Sequence, residues 1–292
     1  MLISFLIVNY FTSYMVSDLV KSINYYIKKY DYEILIFDNS NDINEYNTLQ
    51  RNISVNCRTY SIQKNIGFVK ANNYLFDKAN GEMLILINPD TYLIDDSLES
   101  LIEFMMSDRE IAIAGPKLLN KDYSYQVSFF KFPNLKLLFY ELILLKKNNV
   151  YAYNTNINDI QDCNVIQGAC LCVKREYLNG ENIFCEDYEM YSEETDLCKQ
   201  IIRQNLRVVY FPKASIIHHG GQSTKNDSIG AYALFNYFKS KIIYSRKYFS
   251  KLEFLLTKSM ILFSLLERTI IMLFLLKFSK AKIFVITLIK LL

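Results

Sequence analysis

The stretch YSEETDLC, residues 191–198, sets Glu193, Glu194 and Asp196 beside one another in an otherwise apolar chain. Carboxylates so placed suit two purposes. They favour the first turn of a helix, where the macrodipole favours negative charge. They also suit proton abstraction from a weak nucleophile, once neighbours tune their pKa. Other polar groups stand where apolar runs stop. Asn9 ends LISFLIVN, Asp38 ends EILIFD, and Asp90 follows MLILIN across Pro89. The only two histidines, His218 and His219, lie beyond the run RVVYFP.

These residues need elements to hold them. Leu2–Val8 is short, continuous and β-branched, which predicts a strand buried on both faces of a parallel sheet. Met15, Leu19, Ile23, Tyr26 and Ile27 recur at helical spacing within residues 12–30, with Thr12 or Ser13 as the cap. EILIFDNSND is a second strand, so the opening residues form a βαβ unit. The pattern then predicts a helix over Asn72–Ala79, a strand over 83–88 and a helix over Ser97–Met106. IAIAGPKLL, 111–119, predicts a short strand that breaks at Pro116. Alternating strands and helices indicate an α/β fold with a mostly parallel sheet, whose ligands sit beyond the carboxyl ends of strands. Asn9, Asp38 and Asp90 stand at three such ends, a constellation that packing does not explain. Residues 120–165 read as an irregular, aromatic insert, and VIQGACLCVKREYL (165–178) as strand, turn and helix entry. Ser192 is expected to cap a helix over Glu193–Gln204 with its acids in the first turn.

The chain has 292 residues, enough for one large domain with an appendage or for two small ones. With 51% hydrophobic and 22% charged residues, a disordered chain is excluded. Residues 1–230 hold 22 Lys and Arg against 28 Asp and Glu, a net −6. Residues 231–292 hold 11 against 2, a net +9. This asymmetry predicts an anionic partner for the tail, membrane or nucleic acid. The six cysteines show no CxxC spacing, which argues against a zinc or thioredoxin-type motif and for reduced, cytosolic thiols. MLISFLIVNYF has no basic leader and no small-residue cleavage site, and is expected to be a buried strand rather than a signal peptide.

Seven stretches in order carry a resemblance: IVNYF, ILIFDNSND, NIGFVKANNYLFDKANGEMLILINPDT, IAIAGPKLL, VIQGACLCVKREYL, FCEDYEMYSEETDLC and IIHHGGQST. Together they resemble glycosyltransferase family 2, of GT-A fold, and most closely its rhamnosyltransferase-like branch. The resemblance covers roughly residues 3–224. It implies a GT-A-type, Rossmann-like, mostly parallel sheet flanked by helices, a domain over 1–229, and a helical appendage over 230–292.

It also implies site residues. The donor would be a UDP- or dTDP-linked sugar, rhamnose the leading candidate, and the acceptor a glycan or a lipid-linked molecule. The diphosphate leaving group calls for Mg2+ or Mn2+, hard ions that want carboxylate oxygen. Asp90 would hold the metal. The usual D-x-D motif reads N-P-D here, because Asn88 replaces the first acid. A histidine after a strand is, by itself, either a hydrogen-bonded residue or a ligand; the resemblance favours His218 as second ligand, with His219 as runner-up. Asp38 would accept the nucleobase N–H, although DNS is also ordinary turn chemistry. Asn9, Tyr10, Asn39, Asn65, Gly67, Asn72, Asn88 and Gly168 would line the nucleotide-sugar pocket. Glu194 stands where the family places its catalytic Asp and would be the general base, with Glu193 orienting neighbours or taking the role itself. Asp196 lies about 200° further round the helix and is expected to be structural. Cys185 stands where the family usually has Asp, and Gln200 where it often has Arg.

The tail from residue 230 is apolar nearly all round and punctuated by Lys and Arg. No uncharged run reaches the ~18 residues of a membrane span. An interfacial helix pair is therefore expected, with Lys277, Lys280, Lys282 and Lys290 near anionic headgroups at the inner membrane face. The alternative is packing on the domain or on a second copy in a homo-oligomer. Leu and Ile, rather than polar and stacking residues, fill the gaps between charges, which argues against nucleic acid. A cytoplasmic, membrane-peripheral enzyme is thus expected. Its rival is a non-catalytic, nucleotide-sugar-binding scaffold subunit. A nucleotidyltransferase would show a basic Gly-rich loop near the N-terminus, and none is present.

Overall fold

The computed structural model describes residues 1–53, 56–62, 64–145, 150–178, 180–220 and 227–292. The expected strand–helix–strand opening is present as β1 (Leu2–Asn9), α1 (Ser13–Tyr26) and β2 (Asp31–Asp38). Next come α2 (Ile43–Asn52), β3 (Cys57–Tyr60), α3 (Phe68–Lys78), β4 (Met83–Ile87), β5 (Thr91–Leu93) and α4 (Ser97–Ser107). Then follow β6 (Ile111–Leu119), β7 (Tyr125–Gln126), β8 (Phe129–Phe130), α5 (Leu135–Leu142), β9 (Gln161–Asp162), β10 (Val165–Ile166) and β11 (Cys170–Lys174). The chain closes with α6 (Glu193–Arg203), β12 (Arg207–His218), α7 (Asp227–Tyr248), α8 (Lys251–Phe274) and α9 (Phe278–Leu291).

The main sheet runs β3-β2-β1-β4-β11-β6-β12-β5 among the described residues. β1, β2, β3, β4, β6 and β12 point one way, while β11 and β5 are antiparallel, so the sheet is mostly parallel. β1 and β4 are buried along nearly their whole length, as expected for strands covered on both faces. Ile3, Phe5 and Ile7 of β1, Ile34 and Ile36 of β2 and Ile85 of β4 share one core with Leu19 and Ile23 of α1 and Leu101 and Met105 of α4.

Three expectations need correction. β6 does not break at Pro116; it continues to Leu119, and the partner strand β12 shifts register between Phe211 and Ser215. Proline brings no N–H to the ladder, and the irregular partner accommodates that loss. The insert over 120–165 is irregular as expected, apart from the short elements β7, β8, α5 and β9. After β11 the chain makes only a 3-10 turn, Arg175–Tyr177, rather than entering a long helix. The cap of α1 is Thr12, yet its hydroxyl bonds Asn9 Oδ1 at 2.9 Å instead of the helix.

The chain divides into two compact units. The first, Met1–Lys131, Ala152–Glu186 and Glu193–Ser223, contains the sheet. The second, Phe132–Tyr151, Asp187–Ser192 and Thr224–Leu292, is helical and has its own core of Leu138, Leu142, Phe238, Ile261 and Leu265. Within it the buried Glu141 carboxylate takes an ion pair from Lys241 at 3.0 Å and hydrogen bonds from the Tyr151 and Tyr237 hydroxyls. These partners hold its pKa below the usual carboxylate value against the opposing cost of burial.

The approach of Gly81 to β1 leaves no room for a side chain. A Cβ there would lie 2.6 Å from the Ser4 backbone nitrogen and 2.5 Å from its Oγ. Gly81→Ala is expected to cost about 1–3 kcal/mol. Urea unfolding checks this: the midpoint should fall at unchanged slope.

Candidate active site

Parallel pairing aligns the strand ends. Asn9 is in register with Asp38, and β4, paired with β1 as far as Leu6 and Leu86, ends at Ile87, shortly before Asp90. Asn9 uses both ends of its amide. Its Nδ2 donates to Asp38 Oδ1 at 2.8 Å and to Glu45 Oε1 at 3.2 Å. Its Oδ1 accepts from the Thr12 N–H at 3.1 Å. Ser40 Oγ donates to Asp38 Oδ2 at 2.9 Å. Burial pushes the Asp38 carboxyl above its usual pKa, opposed by the hydrogen bonds from Asn9 and Ser40.

The loop before α3 is tied to the same edge. Asn39 Oδ1 accepts from the Ile66 N–H at 2.8 Å, and Asn65 Oδ1 from the Gly67 N–H at 2.9 Å. Gly67 has φ of 83°, a left-handed conformation that favours glycine. Asn72 is buried within α3, where its Nδ2 donates to the Phe68 carbonyl at 2.9 Å. Tyr10 packs its ring edge against Phe11, with centroids 5.0 Å apart.

Asp90 and His218 come together. β5 pairs antiparallel with β12, with Thr91 opposite His218. His218 Nε2 lies 3.5 Å from Asp90 Oδ1, and both side chains are almost fully buried. His218 Nδ1 sits 2.6 Å from Gln126 Oε1. A carbonyl oxygen only accepts, so Nδ1 carries a proton toward Gln126, and this contact fixes the ring with Nε2 toward Asp90. The backbone N–H of His219 donates to the Asp90 carbonyl at 2.9 Å, and its ring lies against Tyr92 at 5.6 Å. Residues 221–224 of the IIHHGGQST run lie outside the described residues.

This donor set fits a hard divalent cation. It offers a carboxylate and an imidazole nitrogen side by side. Among the described residues no cluster of three or more His, Cys, Asp and Glu forms a complete metal site. Mg2+ is commonly held by one or two protein ligands plus substrate phosphates and water, and the pair suits that mode.

The third part of the site is the start of α6. The Asn88 N–H donates to the Ala169 carbonyl at 3.0 Å, which sets the turn before β11 beside the 88–90 strand end. A Cβ on the adjacent Gly168 would stand 3.9 Å from Glu194 Cγ, so this turn faces Glu194. Glu193 and Glu194 differ sharply in setting. Glu193 is buried, and one carboxyl oxygen has no hydrogen-bond partner. Burial, then the charge of Glu194, push its pKa well above the carboxylate range, so Glu193 is the neutral member of the pair. Glu194 is only partly buried. Asp196 faces elsewhere and accepts from Gln200 Nε2 at 2.6 Å.

Gln126 and Glu45 escaped sequence reasoning. Gln126 lies in the insert, where no periodicity marks it. Glu45 follows Asp42 by three residues, a capping signature. Asp42 does cap α2, but Glu45 Oε1 instead accepts from the Ser13 N–H at 2.9 Å, at the start of α1.

The neutral state of Glu193 has a pH consequence. Its folded pKa exceeds the unfolded one, so its contribution to stability is whole below the unfolded value and is lost as pH rises through the folded value. Glu193→Gln keeps the shape and removes the titration. Relative to wild type, the variant should gain in Tm as pH rises from about 5 to about 8. Scanning calorimetry across that range checks it; a Tm gap independent of pH would contradict a neutral Glu193.

Residues 4–178 match the model of Glycosyl transferase family 2. An N-acetylglucosaminyl-diphospho-decaprenol L-rhamnosyltransferase of Mycobacterium tuberculosis is 26% identical over 152 residues, covering 50% of this chain and 50% of that protein. The O-antigen biosynthesis protein RfbC of Myxococcus xanthus is 22% identical over 158 residues, covering 54% of this chain and 12% of that protein. Thus the matched region is about half the length of the mycobacterial relative and a small part of the other. Among solved structures, a Pyrobaculum calidifontis mannosyltransferase in complex with GDP-Man and Mn2+ superposes with a TM-score of 0.57 at 11% identity, covering 98% of this chain and 85% of that one. S. aureus TarS 1–349 gives 0.54 at 14% identity, covering 100% and 90%. These two share the fold. The chain belongs to glycosyl transferase family 2.

Proposed function

We propose that this chain transfers a sugar, with inversion, from a UDP- or dTDP-linked donor to a polysaccharide or lipid-linked acceptor in cell-surface glycan synthesis, working from the cytoplasmic side. Rhamnose is the leading donor sugar, supported by the 26% identity to the mycobacterial rhamnosyltransferase. The observation that carries the reading is the Asp90–His218 pair, 3.5 Å apart at the edge of the sheet where Asn9 and Asp38 also end.

Each residue then has a part. Asp38, fixed by Asn9 and Ser40, accepts the N–H of the pyrimidine. Asn39 holds the Asn65–Gly67 loop, whose backbone approaches the donor closely because Gly67 has no side chain. Asp90 and His218 would hold Mg2+ or Mn2+, which supplies positive charge for the diphosphate leaving group. Glu194 takes the proton of the acceptor hydroxyl. The oxygen forms the new bond to the anomeric carbon as the bond to the diphosphate breaks, and the nucleoside diphosphate departs with that electron pair. Glu193, neutral and buried behind it, leaves the negative charge of the pair on Glu194.

Calorimetric binding of UDP and dTDP, with and without Mn2+, tests the donor site. Metal-enhanced binding is expected for wild type and its loss for Asp90→Ala. No binding of either nucleotide to folded protein would overturn the donor reading and favour a scaffold subunit. Glu194→Gln should bind donor as wild type does and lose about 10²–10⁴-fold in turnover with a lipid-linked sugar acceptor. Full activity in that variant would remove Glu194 from the role of base.

A further inference from the structure

The last two helices present more apolar surface than a free protein surface ordinarily carries. On α8 the exposed residues Leu252, Leu255, Leu256, Phe263, Leu266, Ile270, Leu273 and Phe274 recur at spacings of three and four. That spacing puts them on one face, and no charged residue interrupts the stripe. The opposite face holds Thr257, Ile261, Ser264 and Leu265, all buried. Leu265 and Ile261 belong to the core of the helical unit, and Ser264 Oγ bonds the Leu142 carbonyl at 2.8 Å. So α8 is already docked on its inner side, and its outer side is apolar as well. The apolar surface then continues from the end of α8, where Phe274 is 84% exposed, through Leu275 and the 74% exposed Leu276 of the turn to the bare Phe278 that opens α9. Contiguous exposed apolar surface on this scale marks a partner.

Charge selects the partner. From Lys277 to the last residue there are four lysines and no acid, and Lys277, Lys280 and Lys282 stand directly at the turn. A second copy packed on this turn would bring like charges together. A rigid protein partner would also cover the turn from one side. A fluid apolar phase under an anionic layer covers it from all sides and pairs with the lysines. No helix among the described residues is long and apolar enough to cross a membrane.

We propose that the α8–α9 turn is a membrane-docking element. Phe274, Leu275, Leu276 and Phe278 enter the acyl boundary of a bilayer rich in anionic lipid, Lys277, Lys280 and Lys282 meet the headgroups, and the outer stripe of α8 continues the contact. This stands apart from the transferase reading, because it uses no residue of the sheet unit.

Co-sedimentation of the full chain with phosphatidylcholine vesicles, and with vesicles holding about one third phosphatidylglycerol, tests it. Wild type is expected to sediment with the anionic vesicles and to partition on the order of tenfold or more less onto neutral ones. Lys277→Gln, Lys280→Gln and Lys282→Gln together should abolish that preference for anionic vesicles. Phe274→Ser, Leu276→Ser and Phe278→Ser together should lose binding to both; these side chains are exposed, so an unchanged Tm is expected to accompany the loss. The proposal is overturned if wild type stays in the supernatant with both vesicles. It is equally overturned if sedimentation velocity shows a stable dimer that the serine variant dissociates while vesicle binding persists.

Discussion

The parallel pairing of β1 with β2 on one side and β4 on the other is the constraint on which the rest of this molecule depends. Strands covered on both faces carry mostly apolar side chains until the strand ends, with Ser4 of β1, bonded to Glu33, as an exception. Asn9, Asp38 and Asp90 gather at the carboxyl ends of these strands, and register decides which residues meet there. Asn9 opposite Asp38 is the direct product of that register. Asn9 then organises the edge by using its donor toward Asp38 and Glu45 and its acceptor toward Thr12.

Electrostatics along the edge is graded by burial rather than by residue type. Asp38 is buried and its pKa rises, although Asn9 and Ser40 temper the shift. Glu193, buried against a second acid, has its pKa pushed well above the usual carboxylate value. Glu194, one position on, keeps contact with solvent. Two adjacent carboxyls on one helix thus sit in different settings, one buried and one in contact with solvent. Asp90 shares its buried position with His218, whose ring is oriented by Gln126 from a two-residue strand.

The chain's charge asymmetry follows its division into units. The acidic majority of the chain forms the sheet unit, and the basic tail forms most of a separate helical unit with its own core. In that unit the buried Glu141, Lys241, Tyr151 and Tyr237 satisfy one another. Its outward apolar stripe is a separate feature, and the lysines flanking it suit an anionic surface.

The sequence alone determined the βαβ opening, the α/β class, the strand ends that carry Asn9, Asp38 and Asp90, and the helix that begins at Glu193. These are local: continuous apolar runs fix buried strands, and helical spacing fixes faces. Only the tertiary structure decided what depends on contacts between distant segments. It carried β6 through Pro116 by letting β12 shift register, and it recruited the insert residue Gln126 to hold His218. It brought His218 to Asp90 by pairing β12 with β5, and it buried Glu193 while leaving Glu194 accessible. It also assigned Phe132–Tyr151 to the helical unit rather than to the sheet. No periodicity records such choices, because the free energy that makes them comes from burial and hydrogen bonds between residues far apart along the chain.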